Sequence, residues 1–304
     1  MSRFDVVGFG ALNVDKLFKV NKIAKAEEES FVEDYAEACG GSAANTAVGV
    51  ARLGCKVGYI GKVGCDREGD VLIQDFCSEG VNTDGVVRAE ERKSGAVLGF
   101  VDKKGARALY INSGVNDTIN LDEVNARYAS QAQFLHLTSF VGDESFQTQK
   151  KLLDAISDSV KVSFDPGVLY ARKGFASLEL IIKKAYVLMP NAIELELLTG
   201  EIDYRKGADI MLGKGVKIVA VKLGGDGCYV TDGRERQLID PFEVDVVDTT
   251  GAGDAFCAGF LYGLVNGKSL LDCGRLGNFV ASRCIMKMGA RAGLPFAKDL
   301  ELLG

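Results

Sequence analysis

Val246-Val247-Asp248-Thr249-Thr250-Gly251-Ala252-Gly253-Asp254-Ala255-Phe256-Cys257-Ala258-Gly259-Phe260-Leu261 is the stretch that decides the fold. The apolar, β-branched run from Val244 to Val247 reads as a buried strand. Gly251-Ala252-Gly253 reads as a tight turn, after which Ala255, Phe256, Phe260, Leu261 and Leu264 recur at helical spacing. A strand thus feeds a helix through glycine, with Asp254 in the first helical turn. Unpaired backbone N–H groups and the helix dipole make such an end an anion site. Glycine lets the main chain come close to a phosphate. A carboxylate beside that anion is placed to take a proton from an attacking hydroxyl. Stabilisation of the helix end by Asp254 alone would leave Asp248, Thr249, Thr250 and the two glycines without a role.

Working outward, 304 residues suffice for one large α/β domain with an appendage, or for two small domains. A hydrophobic share of 47% with 26% charged residues fits a soluble globular protein. No apolar run approaches the ~18 residues of a membrane helix, and the first ten residues do not read as a signal peptide. The net charge of −6 lacks a basic block, which argues against nucleic acid as a partner. The eight cysteines form no CxxC pair, and His136 is the single histidine, so a clustered zinc site is not expected. The thiols read as small buried residues of a reducing cytoplasm. His136, in the apolar run Phe134 to Leu137, reads as packed, which argues against Ser-His or Cys-His hydrolysis.

Phe4 to Phe9 reads as a first strand. Gly8-Phe9-Gly10 begins like a dinucleotide fingerprint, but Asn13 replaces the third glycine and no helical pattern follows. Lys16 to Val20, Phe31 to Tyr35, Gly85 to Val87, Ala96 to Val101 and Ala106 to Ile111 are β-like, with Asp102 to Gly105 as a hairpin turn. Helices are expected over Ser42 to Leu53 and Glu68 to Ser78. From Leu121 helix and strand alternate: helices at Asp122–Ala129, Glu144–Ile156, Leu178–Lys184, Ala192–Thr199 and Tyr204–Leu212, strands at Phe134–Leu137, Val160–Phe164, Tyr186–Met189 and Val216–Val221. Such alternation argues a parallel sheet covered on both faces. A late hairpin fits Gly227–Thr231 and Arg236–Ile239; a long helix fits Leu270–Met288, opened by Ser269-x-x-Asp272, and a short one fits Phe296–Leu303. The chain reads as a single domain over 1–304, in which two β-rich segments, about 12–36 and 85–111, meet as a small sheet over one end of the α/β body.

Three further constellations carry chemistry. Gly40-Gly41-Ser42-Ala43-Ala44-Asn45-Thr46-Ala47 pairs a glycine turn with Asn45, whose amide both donates and accepts; a helix cap explains it equally well. Pro190-Asn191-Ala192-Ile193-Glu194 places a helix N-terminus after a strand, where phosphates bind, and is also a capping box. Lys222-Leu223-Gly224-Gly225-Asp226-Gly227 permits close approach of a ligand or is a plain β-turn. Gly267-Lys268-Ser269 ends like a P-loop but lies between helices and lacks the required earlier glycine.

Asp248-Thr249-x-Gly251-Ala252-Gly253-Asp254-x-Phe256 resembles the second signature of the ribokinase-like (phosphofructokinase B) kinase family, and Gly40-Gly41-x-x-x-Asn45-x-Ala47, closing at Leu53-Gly54, resembles its first. The resemblance runs from Phe4 to Pro295 with the motifs in order. It implies a three-layer α/β/α core with a mostly parallel central sheet and a β-sheet lid. It implies Asp254 as catalytic base and the amides of Gly251, Ala252, Gly253 and Asp254 as the hole for the transferring phosphoryl group. Asn13, Asp15, Gly40, Gly41 and Asn45 would bind the acceptor. Asn191, Lys222, Gly224, Gly227 and Asn278 would bind ATP. Glu194 would hold Mg²⁺ through water, and Asp248, Thr250 and Gly289, the last in Gly289-Ala290-Arg291, belong to the loop that binds K⁺ in many members. Gly114-Val115-Asn116 resembles a further family segment. The implied reaction moves the γ-phosphoryl group of ATP to a hydroxymethyl group of a sugar of the ribose, fructose or ketodeoxygluconate class, in a cytoplasmic homodimer joined through the lid. Ser42 and Thr138 stand where many ribose kinases carry lysine and glutamate, and Ser163-Phe164-Asp165-Pro166-Gly167 looks like archaeal nucleoside kinases, so a nucleoside is the alternative acceptor. A non-catalytic sugar- or nucleotide-binding protein is the remaining alternative.

Overall fold

The computed structural model describes residues 3–103 and 106–303. Its strands are β1 (Phe4–Phe9), β2 (Asn13–Val20), β3 (Val32–Gly40), β4 (Val57–Gly64), β5 (Val81–Ala89), β6 (Gly95–Asp102), β7 (Arg107–Asn112), β8 (Ala132–Leu137), β9 (Lys161–Phe164), β10 (Ala185–Leu188), β11 (Ile218–Lys222), β12 (Cys228–Thr231) and β13 (Arg236–Ile239). The helices are α1 (Ser42–Arg52), α2 (Arg67–Ser78), α3 (Ala126–Ala129), α4 (Asp143–Ala155), α5 (Gly167–Ala171), α6 (Gly174–Lys184), α7 (Ala192–Thr199), α8 (Tyr204–Gly213), α9 (Ala252–Val265) and α10 (Leu270–Cys284). Among the described residues no helix is long and apolar enough to cross a membrane.

Nine strands form one sheet in the order β13-β12-β11-β10-β9-β8-β1-β4-β5. The pairings are parallel from β5 to β11 and antiparallel at β11–β12 and β12–β13. Alternation along the strands feeds two cores. Val187, Ile218 and Ala220 pack into the one shared with α1, α9 and α10, while Leu188, Val219 and Val221 pack into the one shared with α4, α6, α7 and α8. The sheet is therefore a middle layer with helices on both faces, as the helix–strand rhythm predicts. Chain order reverses at β1: β4 and β5 lie to one side, β8 to β11 to the other. In open parallel sheets ligands sit outside the carboxyl ends of the strands at such a switch.

Four strands form a second sheet in the order β3-β2-β6-β7. It joins segments far apart in sequence through the parallel pairing of β2 with β6. Phe18 stacks between Tyr35 and Phe100, with ring centroids 4.9 Å and 5.2 Å away.

Several expectations change. Gly85 to Val87 do not join the small sheet; they lie in β5 at the edge of the large one, where Val86 and Val87 pair with Gly61 and Lys62. The run Val244 to Val247 is no buried strand: it forms no ladder, and Val246 and Val247 are more than half exposed. Val244 and Val246 line a cavity described below, so an apolar composition that suits a core here forms a cavity wall. The helix expected over Asp122–Ala129 splits into a 3-10 turn, Leu121–Glu123, and α3, each opened by its own asparagine cap, Asn120 and Asn125. The helix from Leu270 stops at Cys284 instead of Met288, and the last segment, Ala297–Leu303, is 3-10. Lys104 and Gly105 of the expected hairpin turn lie outside the described residues. His136 is fully buried against Ser163 Oγ at 3.0 Å, and burial pulls its pKa down to about 4.

Candidate active site

The first turn of α9 is the centre of the site. Gly251 caps it at φ 78°, in the left-handed region that glycine adopts without strain, and no side chain caps this end. A Cβ on Gly251 would lie 2.5 Å from that of Ala290, so glycine is also demanded by the neighbouring loop. The uncapped end leaves first-turn amides for a ligand, but not the expected one of Ala252, whose N–H donates to the Thr249 carbonyl at 3.2 Å and closes the turn. Asp254 Oδ2 accepts a hydrogen bond from Asn45 Nδ2 at 2.8 Å, and Thr46 Oγ1 donates to the Asp254 carbonyl at 3.1 Å. Burial pushes the Asp254 pKa up to about 7; the Asn45 bond opposes this, Asp165 reinforces it, and Lys222 and Arg291 pull it down.

Two cavities meet at this turn. The first, about 290 Å³, is lined by Ala11 and Asn13 beyond the carboxyl end of β1, by Ser139 and Val141 beyond that of β8, by Asp15, Gly41 and Asn45, and by Thr250, Gly251 and Asp254. Val97 and Ile111 of the small sheet close one side. This is the switch point of the large sheet. Asn116 braces it: its Oδ1 accepts from Leu12 N, and its Nδ2 donates to Leu12 O and to Asn13 Oδ1, each at 2.9 Å. Burial raises the Asp15 pKa to about 6, against the pull of Arg291. The second cavity, about 490 Å³, is lined by Gly224, Gly225 and Gly227, by Phe242, Val244 and Val246, by Thr249, Ala252, Gly253 and Phe256, and by Asn278 and Ile285. A third, about 860 Å³, continues from it past Asn191, Lys222 and Gly224. Among the described residues lining the three, Lys222 is the single cation.

Lys222 closes β11, and its Nζ lies 2.7 Å from Asp165 Oδ2, just beyond β9. A Cβ on Gly253 would be 3.4 Å from this ammonium, which places it beside the turn. Burial, the largest single effect, would lower the Lys222 pKa, but Asp165, Cys257 and Glu194 together outweigh it and hold the amine charged. Cys257 Sγ donates to the same Asp165 oxygen at 3.4 Å, and Asp165 Oδ1 is buried without a partner.

Most of the expected residues converge here. Asn13, Asp15, Gly41 and Asn45 line the first cavity with Gly251 and Asp254. Ala252, Gly253, Lys222, Gly224, Gly227 and Asn278 line the second, and Asn191 the third. Gly40 lines none of them: a Cβ there would be 2.4 Å from Asp15 Oδ2, so its bareness makes room for Asp15. Glu194 is buried in a capping box, Asn191 N donating to Glu194 Oε2 and Glu194 N to Asn191 Oδ1. Burial, with Asp165 near, pushes its pKa up. Asn278 holds the loop after β13 through bonds from Nδ2 to the carbonyls of Ile239 and Asp240. Asp248 accepts from Thr250 N and Oγ1 and from Gly289 N, which ties the turn to the loop after α10. Among the described residues, no group of three or more His, Cys, Asp or Glu is placed to hold a metal ion.

Sequence reasoning gave Asp165, Asn116, Asp117 and Ser139 no site role. Asp165 carried a signal, a carboxylate directly after a parallel strand, and Asn116 stood in a quoted Gly-x-Asn. Asp117 and Ser139 carried none, because the loops that bring them in are set by tertiary contacts.

Residues 3–297 match the pfkB family of carbohydrate kinases. An uncharacterised sugar kinase of Archaeoglobus fulgidus is 49% identical, over 83% of this chain and 100% of the relative. An ATP-dependent ribose-1-phosphate kinase of Halopiger xanaduensis is 36% identical, over 84% of this chain and 83% of the relative. The structure of Arabidopsis thaliana ribokinase complexed with ribose and ATP superposes with a TM-score of 0.86 at 27% identity, covering 100% of this chain and 99% of that one. The architecture is the ribokinase-like α/β fold.

Proposed function

This chain belongs to the pfkB family of carbohydrate kinases, and within it we propose transfer of the γ-phosphoryl group of ATP to a hydroxymethyl group of a sugar, with Asp254 as base. One observation carries the reading: the turn from Thr249 to Asp254 is the wall shared by two cavities, Asp254 facing one and Gly253 the other. An acceptor hydroxyl in the first cavity meets the carboxylate. A phosphate chain in the second meets the amides and Lys222. Phosphoryl transfer needs mostly alignment and charge neutralisation, which this arrangement supplies. Asp254, with its pKa near neutral, accepts the hydroxyl proton, and the amides of Gly251, Gly253 and Asp254 face the charge on the transferring group. The small sheet acts as a lid that excludes water from the first cavity.

Mg²⁺ fits beside the third cavity through water: one Glu194 oxygen is taken by Asn191 N–H, and Asp165 keeps one buried oxygen free of partners. The ion would neutralise phosphate charge. K⁺ fits the loop of Asp248, Thr250 and Gly289 only through carbonyls, since the bonds from Thr250 and Gly289 engage both carboxylate oxygens of Asp248.

The acceptor cavity has no aromatic wall for a base; Asn13, Asp15, Asn45, Asn116 and Asp117 offer directional partners for hydroxyls. Its three carboxylates and lack of a cation favour an uncharged sugar. A nucleoside is the second reading, favoured by the aliphatic rim of Val97, Ile111, Val141 and Leu169. The homodimer belongs to the same proposal: β3, β7 and the chain beside them expose Phe31, Val32, Tyr35 and Tyr110, an apolar surface that a second copy would cover. Phosphorylation assays with ribose, fructose, ketodeoxygluconate, ribose 1-phosphate, adenosine, inosine and cytidine, each with ATP and ADP, test it. The highest kcat/KM is expected for an uncharged sugar with ATP. Preference for a nucleoside selects the second reading, and binding without turnover across the panel removes the kinase assignment.

A further inference from the structure

Asn45 sits between two groups of one-sided hydrogen-bonding capacity. Arg291 Nε donates to Asn45 Oδ1 at 2.8 Å, and Asn45 Nδ2 donates to Asp254 Oδ2 at 2.8 Å. A guanidinium only donates, and a carboxylate only accepts. The asparagine amide has one acceptor end and one donor end of nearly equal size. Reversed, it would turn its NH₂ toward Arg291 and its oxygen toward Asp254, losing both bonds. The guanidinium thus determines which end of Asn45 reaches the carboxylate.

We propose that Arg291 is a positioning residue for phosphoryl transfer: it locks the Asn45 amide so that Nδ2 holds the Asp254 carboxylate at the acceptor cavity. The proposal rests on the reading of Asp254 as base. Arg291 is itself fixed from three sides. Its side chain is 9% exposed, forms an ion pair through Nη1 with Asp75 Oδ2 of α2, and lies 5.8 Å from the ring centre of Phe76. Its carbonyl accepts from Arg52 Nη1 at 2.7 Å, and Arg52 is bound in turn by both oxygens of Glu79. The loop after α10 is tied to α1 and α2 in this way, and the chain Asp75–Arg291–Asn45–Asp254 runs from the surface of α2 to the turn. Nη2 of Arg291 is buried without a partner among the described residues.

Donation from Asn45 favours the charged form of Asp254, and a reversed amide would favour the protonated form. The other groups that face Asp254 are Asp165 and Lys222 beyond β9 and within β11, Tyr59 on β4, Cys257 on α9 and Cys284 on α10. Asp15 and Asp75 face Arg291. All remain in the variants that follow, so a changed titration reports Arg291 and Asn45.

The test is the titration midpoint of the Asp254 carboxyl, read by ¹³C NMR on the full chain without substrates, alongside the pH profile of kcat. Arg291→Met is expected to raise the midpoint by about one unit and to lower turnover at pH 7 about fivefold, with recovery at higher pH. Arg291→Lys, which keeps the charge and a donor, should restore most of both. In the Asn45→Ala background the same Arg291 substitution should produce less than half that shift, because the relay is already cut. A shift of half or more in that background means Arg291 acts as a remote charge, and no shift in the parent means it is structural; either overturns the proposal. Should Arg291→Met not fold, Arg291→Gln takes its place with the same outcomes. The NMR readout needs no turnover, so it stands apart from the base assignment, which falls if Asp254→Asn keeps its turnover whatever the titration gives.

Discussion

The two cavities that share the turn at Gly251 to Asp254 are built from different material. The cavity proposed for the acceptor is polar and acidic, with Asp15, Asp117 and Asp254 and, among the described residues, no cation. The cavity proposed for the nucleotide is walled by Phe242, Val244, Val246, Phe256 and Ile285, and its polar lining combines glycine backbone with Lys222, Glu243, Thr249, Asn278 and Ser282. A polyhydroxylated acceptor calls for directional side-chain partners, each paired one to one with a hydroxyl. A nucleotide calls for a flat apolar slot for its base and amides with a cation for its phosphates. One helix end supplies both, because its amides point along the axis while the Asp254 side chain leaves to the side. On the proposed reading the Asp254 carboxylate and the phosphates would lie on opposite faces of a single turn.

If the division holds, substitutions on each face should change different kinetic constants. The largest effect is expected for Asp254→Asn, whose kcat should fall by ~10²–10⁴-fold while ATP affinity, read by calorimetry, stays within about twofold. In the parent enzyme kcat/KM should rise with pH through an acid limb near 7, as the carboxylate forms. Next is Lys222→Met. Loss of the sole cation should lower kcat/KM for ATP about 10²-fold with little change in acceptor KM, and thermal melting should report the buried Asp165 left unpaired. An equal rise in acceptor KM would show that the two sides are not separable. Asp15→Asn should then raise acceptor KM about tenfold and leave ATP KM alone.

The smallest effect concerns stability. Asp254 titrates near 7 when folded against 3.8 when exposed, so the folded chain binds its proton more tightly. Between those values the contribution of this group to stability falls as pH rises. Asp254→Asn removes that slope, and its Tm should exceed the parent's by about 1–4 °C at pH 8, the gap closing toward pH 4. A lower Tm at pH 8 would mean that the carboxylate is stabilised and not strained by its site.

The layered core was legible because period and breaker residues agree locally: the boundaries of α7 were read to the residue, and those of α1, α2 and α4 to within one. The chemical residues of the α9 turn were legible for another reason, since the close approach of backbone to a ligand restricts the side chains allowed. What failed depended on what lies across from a segment. Val244 to Val247 has the composition of a core strand, and only the fold shows that Val244 and Val246 line a cavity instead of pairing in a sheet. Val81 to Ala89 could pair with either sheet, and its register against β4 is a tertiary choice. Gly40 sits in a ligand motif yet serves the carboxylate of Asp15 from behind. Arg291 lay inside a quoted motif, but nothing local reveals a bond to Asn45, 246 positions away.

A structure of the full chain with a non-hydrolysable ATP analogue, Mg²⁺ and the best acceptor from the panel tests the central claim most directly. The account predicts the acceptor hydroxyl within about 3.2 Å of an Asp254 oxygen, with the terminal phosphate on the Gly253 side of the turn next to Lys222. An acceptor bound away from Asp254, or phosphates lodged on the carboxylate side, would contradict it.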